Sequence, residues 1–153
     1  MRAVIQRVRS AKVEVAGEII GEIGMGLLVL IGIHEADRPE MLTWMSDKLL
    51  GIRIFEDSDG KMNRSIQEVG GSLLVVSQFT LYGDCQKGRR PSFIAAARPE
   101  FASPMVDQLV QLLRNSGIRV ETGRFGADMQ VSLVNDGPVT LVLDAPVAKT
   151  NLN

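Results

Sequence analysis

The first 33 residues hold three strand patterns and no helix, and that crowding limits what the chain can build. "AVIQRVRSAKVEV" (3–15) alternates apolar and polar side chains, with a bend expected near Ser10 and Ala11. Residues 18–23 give a second strand. A third covers 27–33, where the run from Leu27 to Ile33 has no polar side chain and reads as buried. Gly24 and Gly26 join the last two. They lack the G-x-G-x-x-G order and precede a strand rather than a helix, so they read as a turn and not as a nucleotide loop.

Only two helices are expected. Residues 38–50 place Leu42, Met45 and Leu49 at helical spacing, with Pro39 in the first turn and Gly51 as the stop. Ser103 and Pro104 read as the N-cap and first residue of the second helix, whose face carries Val106, Leu109, Val110 and Leu113 before Gly117 ends it. "IRIFED" (52–57) reads as a strand and "DSDGK" as a turn, since the calcium-loop likeness of Asp57 and Asp59 lacks the remaining ligands. Leu73 to Gln78 is a buried strand. "IRVETG", "DMQVSLV" and "VTLVLDA" are three more, the last two joined through Asn-Asp-Gly-Pro as a turn. Many strands and two helices define an α/β fold without βαβ alternation. Mixed, mostly antiparallel sheets form a sandwich or partly closed barrel, with the two helices packed outside. The chain of 153 residues fits a single domain over 1–145, with a C-terminal tail over 146–153.

Composition removes several functional classes. A hydrophobic share of 45% against 23% charged residues supports a globular core without staples. The net charge of −1 supplies no global basic field, so any RNA contact must rest on a local patch. With one cysteine, Cys85, no intrachain disulfide forms. With one histidine, His34, and no spaced partners, no zinc set is visible, and neither a metal nor a cofactor is expected. The N-terminus is charged and alternating, unlike a signal peptide, and no apolar stretch approaches the roughly 20 residues of a membrane span. A soluble, cytoplasmic protein is expected.

Four stretches carry possible chemistry. "SQFT", Ser77, Gln78, Phe79 and Thr80, puts two hydroxyls at the end of a buried strand. A hydroxyl nucleophile needs a base, and neither a G-x-S-x-G elbow nor a placed histidine is present. Taken alone, this is a strand end whose hydroxyls satisfy backbone groups. "KGRRPSF" joins Lys87, Arg89 and Arg90 to Phe93: forks for phosphate and a ring for a base, or a solvated basic loop. Arg7, Arg9, Lys61 and Arg64 would extend that patch if they shared its face. "TGRFGADMQV" sets glycines around Arg124 and Phe125, either as core packing or as a backbone-exposed approach to a pocket that includes Met129. In "NDGP", Gly137 and Pro138 leave carbonyls free to face a ligand, although a trans hairpin turn is the simplest local reading.

Together, "MRAVIQRV", "LLVVSQFTLYGD", "KGRRPSF" and "TGRFGADMQVSLVNDGPVT" resemble the D-aminoacyl-tRNA deacylase (D-tyrosyl-tRNA deacylase) family, from Met1 to about Leu143. Ser-Gln-x-Thr and Asn-x-Gly-Pro-x-Thr are that family's two signatures, and neither departs from the pattern. The resemblance implies an enzyme that hydrolyses the ester of D-aminoacyl-tRNA and of mischarged glycyl-tRNA while sparing L-aminoacyl-tRNA. It implies a homodimer with active sites at the interface, and a cis Gly137-Pro138 pair that reaches into the partner's site. By position, Ser77, Gln78, Phe79 and Thr80 line the reaction centre. Phe125 and Met129 hold the terminal adenosine and aminoacyl group, and Arg7 braces the motif of Asn135, Gly137 and Pro138. Lys87, Arg89 and Arg90 are the candidate tRNA contacts.

The residues add a mechanism to that resemblance. Thr80 has no visible base, so backbone N–H groups around Gln78 to Thr80 are expected to hold the developing oxyanion, with the substrate's 2′-hydroxyl helping the attacking water. Two other readings compete: a non-catalytic dimeric module binding RNA or a metabolite, and a Ser/Thr hydrolase of small esters.

Overall fold

The computed structural model describes residues 1–147. Strand β1 (Arg2–Val15) is the longest early element and pairs along both edges. One edge takes β3 (Gly26–Gly32) and then β2 (Glu18–Ile23), both antiparallel; the other takes β8 (Gln130–Asp144), also antiparallel. Strand β6 (Ser72–Ser77) runs parallel to β3, and β7 (Val120–Thr122) runs parallel to β6. Because β2 curls back until Gly21 lies against the Thr122 carbonyl, the sheet nearly closes into a barrel. A separate small sheet pairs β4 (Phe55–Glu56) with β5 (Met62–Arg64).

The mixed α/β class therefore holds, with one difference in connectivity. Both parallel pairs are crossovers: helix α1 (Glu40–Gly51) lies between β3 and β6, and α2 (Pro99–Asn115) between β6 and β7. Parallel neighbours require such connections, so part of the sheet is βαβ after all.

Alternation explains the two cores. On β3 and β6, Leu27, Val29, Ile31, Leu73 and Val75 face the helices, meeting Met45 and Leu49 of α1 and Leu109 and Leu113 of α2. Leu28, Leu74 and Val76 point the other way, into the barrel, where they meet Val8, Val13 and Ile23. These two strands are buried on both faces, which is why they read as unbroken apolar runs. β1 changes its buried face at Val8–Ser10, where its register with β8 shifts; the bend begins two residues before the expected place.

Four local expectations are corrected. Helix α2 begins at Pro99, not at Pro104, which is interior to it. Pro99 occupies a first-turn position after extended Arg98, where a missing N–H costs nothing. Pro104 lies on the exposed face, so water can reach the Glu100 carbonyl that loses its helical partner. Likewise α1 begins at Glu40, with Gly51 inside it. Gly26 is not a turn glycine but the first residue of β3: a Cβ there would lie 1.8 Å from the Ser72 carbonyl oxygen. The strand expected over 52–57 contracts to β4, and Asp57 closes the turn by accepting the N–H groups of Asp59 and Lys61. The expected tail, 146–153, lies outside the described residues from position 148 on.

The largest correction concerns Asn-Asp-Gly-Pro. It does not turn the chain. Residues 130–144 form one strand, antiparallel to β1 throughout, and the motif is an excursion within it. Gln6 opposes Thr140 and Val8 opposes Asn135, so residues 136–139 have a single residue of β1 across from them.

Gly26→Ala is expected to force β3 and β6 apart and to cost about 3 kcal/mol or more. Gly24→Ala, with no atom within 4 Å of the added carbon, should stay within about 0.5 kcal/mol of wild type. Urea denaturation of the two variants checks the contrast.

Candidate active site

The end of β6 opens into a cavity of about 500 Å³. Ser77, Gln78 and Phe79 line it from one side, and Phe125 and Met129 from the other. Most of the remaining wall is apolar, including Ile31, Phe93 and Val106. Thus five of the residues singled out in sequence, separated by about fifty positions of chain, converge on one space.

The chain enters this site through a 3-10 turn, Phe79–Tyr82. The Gln78 N–H is already used, donating to the Ile31 carbonyl at 2.8 Å. Leu81 N–H donates to the Gln78 carbonyl at 3.3 Å and Gly83 N–H to the Thr80 carbonyl at 2.9 Å. The N–H groups of Phe79, which lines the cavity, and of Thr80, one residue beyond the lining, take no acceptor among the described residues and replace Gln78 as the candidate donors. The side chain of Thr80 accepts a close hydrogen bond from the Gln78 amide, and no basic group among the described residues bonds to it. His34 is occupied elsewhere: its Nδ1 accepts from the Ala36 N–H at 3.0 Å, and its ring meets Tyr82 edge-on at 5.1 Å. Burial pushes the Tyr82 phenol up, reinforced by the charge of Asp37, so it stays protonated at neutral pH.

Phe125 and Met129 are held by backbone. Gly123 N–H donates to the Val75 carbonyl at 3.1 Å, fixing the turn beside β6. A Cβ on Gly123 would meet the Met129 sulfur at 2.6 Å, so that glycine makes the room Met129 fills. The basic loop is pinned at its base by paired backbone bonds between Asp84 and Ser92, at 2.7 and 2.9 Å. Just beyond, Phe93 packs edge-on against Phe79 at 5.3 Å. Lys87, Arg89 and Arg90 are exposed on that loop and form no ion pair among the described residues. The cationic loop therefore stands next to the cavity mouth. Arg7, Arg9 and Arg64 do not extend it: Arg7 is buried, Arg9 pairs with Asp136 at 3.5 Å, and Arg64 donates to the Glu68 carbonyl.

The second motif sits elsewhere. Asn135, Asp136 and Gly137 border a different concavity, of about 790 Å³, with Arg7 and Arg9. Across the sheet, Asn135 lies level with Val8, Gly26 and Ser72, whereas Ser77 is at the far end of β6. From Ser72 to Ser77 the strand rises about 17 Å at roughly 3.3 Å per residue. Within one chain the two motifs do not meet.

What holds the excursion is specific. The Gly137-Pro138 peptide is cis. The Asn135 amide spans its mouth: Oδ1 accepts the Val139 N–H at 2.8 Å, while Nδ2 donates to the Val139 carbonyl and the Thr140 hydroxyl. Buried Arg7 donates through Nε to the Asp136 carbonyl at 2.8 Å and through Nη1 to the Ile54 carbonyl at 2.6 Å. A side chain at residue 137 would meet Val139 at 2.8 Å and the Arg7 guanidinium at 3.2 Å. Only glycine leaves that backbone bare. Among the described residues, no three His, Cys, Asp or Glu side chains cluster as a metal set.

These features define a class first: a near-barrel α/β fold whose apolar cavity ends in a polar turn with free backbone donors. The comparisons then specify it. The model of the family D-Tyr-tRNA(Tyr) deacylase matches residues 4–144. A protein of Desulfitobacterium hafniense named D-aminoacyl-tRNA deacylase is 59% identical over 145 residues, covering 95% of this chain and 97% of that one. A solved structure named c-Myc DNA Unwinding Element Binding Protein superposes with a TM-score of 0.90 at 42% identity, covering 95% and 99% of the two chains. One described as a probable eukaryotic D-amino acid tRNA deacylase shares the fold, with a TM-score of 0.81 at 21% identity over 93% and 97%. The chain belongs to the D-Tyr-tRNA(Tyr) deacylase family.

Asn135→Ala is expected to orphan the buried Val139 N–H and to cost about 1–3 kcal/mol. Hydrogen exchange should speed up at Val139 before it does at the β3 and β6 amides.

Proposed function

We propose that this protein is a D-aminoacyl-tRNA deacylase. It cleaves the ester between the amino acid and the 3′-terminal ribose of tRNA, with glycyl-tRNA also a substrate and L-aminoacyl-tRNA spared. Family membership supports the reaction class. The observation that carries the reading is the convergence of Ser77, Gln78, Phe79, Phe125 and Met129 on one cavity, bounded by a turn whose Phe79 and Thr80 N–H groups take no acceptor among the described residues. Water attacks the ester carbonyl, the oxyanion forms against the N–H groups of Phe79 and Thr80, and the 3′-hydroxyl leaves with the proton lost by water. One such donor is worth about 2.7–4 kcal/mol of barrier. The ribose 2′-hydroxyl orients the water, supplying what a site without a side-chain base lacks. Lys87, Arg89 and Arg90 face the phosphates of the acceptor end.

Chirality is read by the second motif, delivered by a second copy of the chain. Three observations support a homodimer: the two motifs lie apart within one chain, the outer edge of the 15-residue β8 has no partner among the described residues, and Val134, Leu141 and Val142 are exposed on it. A long open edge of that kind invites pairing. The Gly137 and Pro138 carbonyls accept the substrate's α-ammonium, and the bare main chain fills the space an L side chain requires. A D side chain points away, so its identity matters little. The substrate places the protein in the cytoplasm.

A second reading, a nucleic-acid-binding module without catalysis, draws on the name of the DNA-unwinding-element relative. Against it stands the net charge of −1, which gives no general field for duplex DNA.

The deciding assay follows amino-acid release from D- and L-tyrosyl-tRNA: D is hydrolysed and L survives, whereas equal cleavage of both refutes the chirality account. Thr80→Ala should keep most of the activity, and a terminal 2′-deoxyadenosine should reduce it about a hundredfold or more. A folded but inactive Thr80→Ala variant would instead establish covalent catalysis.

A further inference from the structure

Behind the 3-10 turn, on the side away from the cavity, lies a cluster that the reaction described above does not use. Arg2 donates through Nη1 to the Leu81 carbonyl at 3.2 Å. Its other donors form a fork onto Asp144, Nε to Oδ1 at 2.7 Å and Nη2 to Oδ2 at 3.4 Å. The guanidinium also stands 5.4 Å over the Tyr82 ring. Tyr82 in turn rests on His34, whose backbone N–H is held by the Asp37 carboxylate at 2.8 Å.

We propose that Arg2 is a positioning residue that sets the orientation of the Phe79–Tyr82 turn, and through it the rate of the chemical step.

The turn's first N–H groups, those of cavity-lining Phe79 and of Thr80 just past it, take no acceptor among the described residues, and the Thr80 carbonyl is taken by Gly83. The Leu81 carbonyl is satisfied from outside, by a cation, at the end of the turn where carbonyl dipoles concentrate negative charge. Arg2 fixes that end against Asp144, at the terminus of the same β8 that carries Gly137 and Pro138. Midway along the pairing, Arg7 of β1 grips the Asp136 carbonyl. Two arginines five residues apart on β1 thus tie the turn and the excursion of one chain to the same strand pair. Arg2 and Asp144 are both partly exposed, so their ion pair adds little to global stability. Arg2 lies outside the cavity wall, so its loss leaves ground-state binding intact while blurring donors that matter in the transition state.

This inference rests on the deacylase reading, and the experiment separates the two. Arg2→Met, Arg2→Lys and Asp144→Asn are compared with wild type for kcat and KM on D-tyrosyl-tRNA, and for amide exchange at Leu81 and Gly83. In Arg2→Met, kcat should fall about three- to tenfold with KM unchanged. Exchange at Leu81 and Gly83 should accelerate while α2 stays protected. Arg2→Lys, which keeps the charge but not the fork, should recover part of the rate, and Asp144→Asn should lose less than Arg2→Met. An unchanged kcat, a loss carried by KM, or exchange that rises across the whole molecule would overturn the proposal. If the wild-type protein hydrolyses no D-aminoacyl-tRNA, the functional reading fails, and the exchange at Leu81 and Gly83 still decides whether Arg2 braces the turn.

Discussion

The antiparallel pairing of β1 with β8 is the contact on which the rest of the site depends. It joins the first residues of the chain to the last strand, from Arg2 opposite Asp144 to Glu14 opposite Gln130. Such a contact closes nearly the whole chain into one loop, at an entropic cost that grows only slowly with loop length. Once formed, it sets two heights on the molecule. Near Arg2 it lies behind the turn that follows β6; near Arg7 and Val8 it releases the 136–139 excursion. The distance between these heights keeps the two motifs apart within one chain, and under the proposed dimer they meet between two chains.

The chemistry proposed for this scaffold is one of backbone rather than side chains. The sole histidine serves a loop, Tyr82 is held protonated, and Thr80 is bonded to an amide. Side chains still matter, but as supports. Asn135 closes the excursion, Arg7 grips its carbonyl, Gly123 makes room for Met129, and Phe93 steadies Phe79. Under the proposed mechanism, catalytic power comes from fixed dipoles in an apolar cavity, where they need no reorganisation during reaction.

Much of this was legible in the sequence because it follows from local patterns. The double-sided strands show as unbroken apolar runs, and the site motifs show as polar residues at strand ends. What was hidden depends on partners far along the chain. Asn-Asp-Gly-Pro carries every local sign of a hairpin, yet β1, more than a hundred residues earlier, holds it inside a strand and the Asn135 side chain seals it. Gly26 passed for a turn glycine because the Ser72 carbonyl that excludes a Cβ comes from another strand. Pro104 looked like a helix start because the earlier signal, Pro99 after an extended arginine, has no side-chain cap to mark it. Arg2 gave no signal at all, since its three partners lie at Leu81, Tyr82 and Asp144.

The central claim, that each site joins the turn of one subunit to the excursion of the other, is tested most directly by complementation. One variant has a disabled Ser77–Thr80 segment and the other a disabled Gly137-Pro138 pair; both are inactive alone. Unfolded together and refolded, they form mixed dimers in which one of the two sites is intact. The account predicts recovery of about a quarter of wild-type deacylation, because half the dimers are mixed and each carries one site. A mixture that stays as inactive as its parents, while mixed dimers are present, would contradict it.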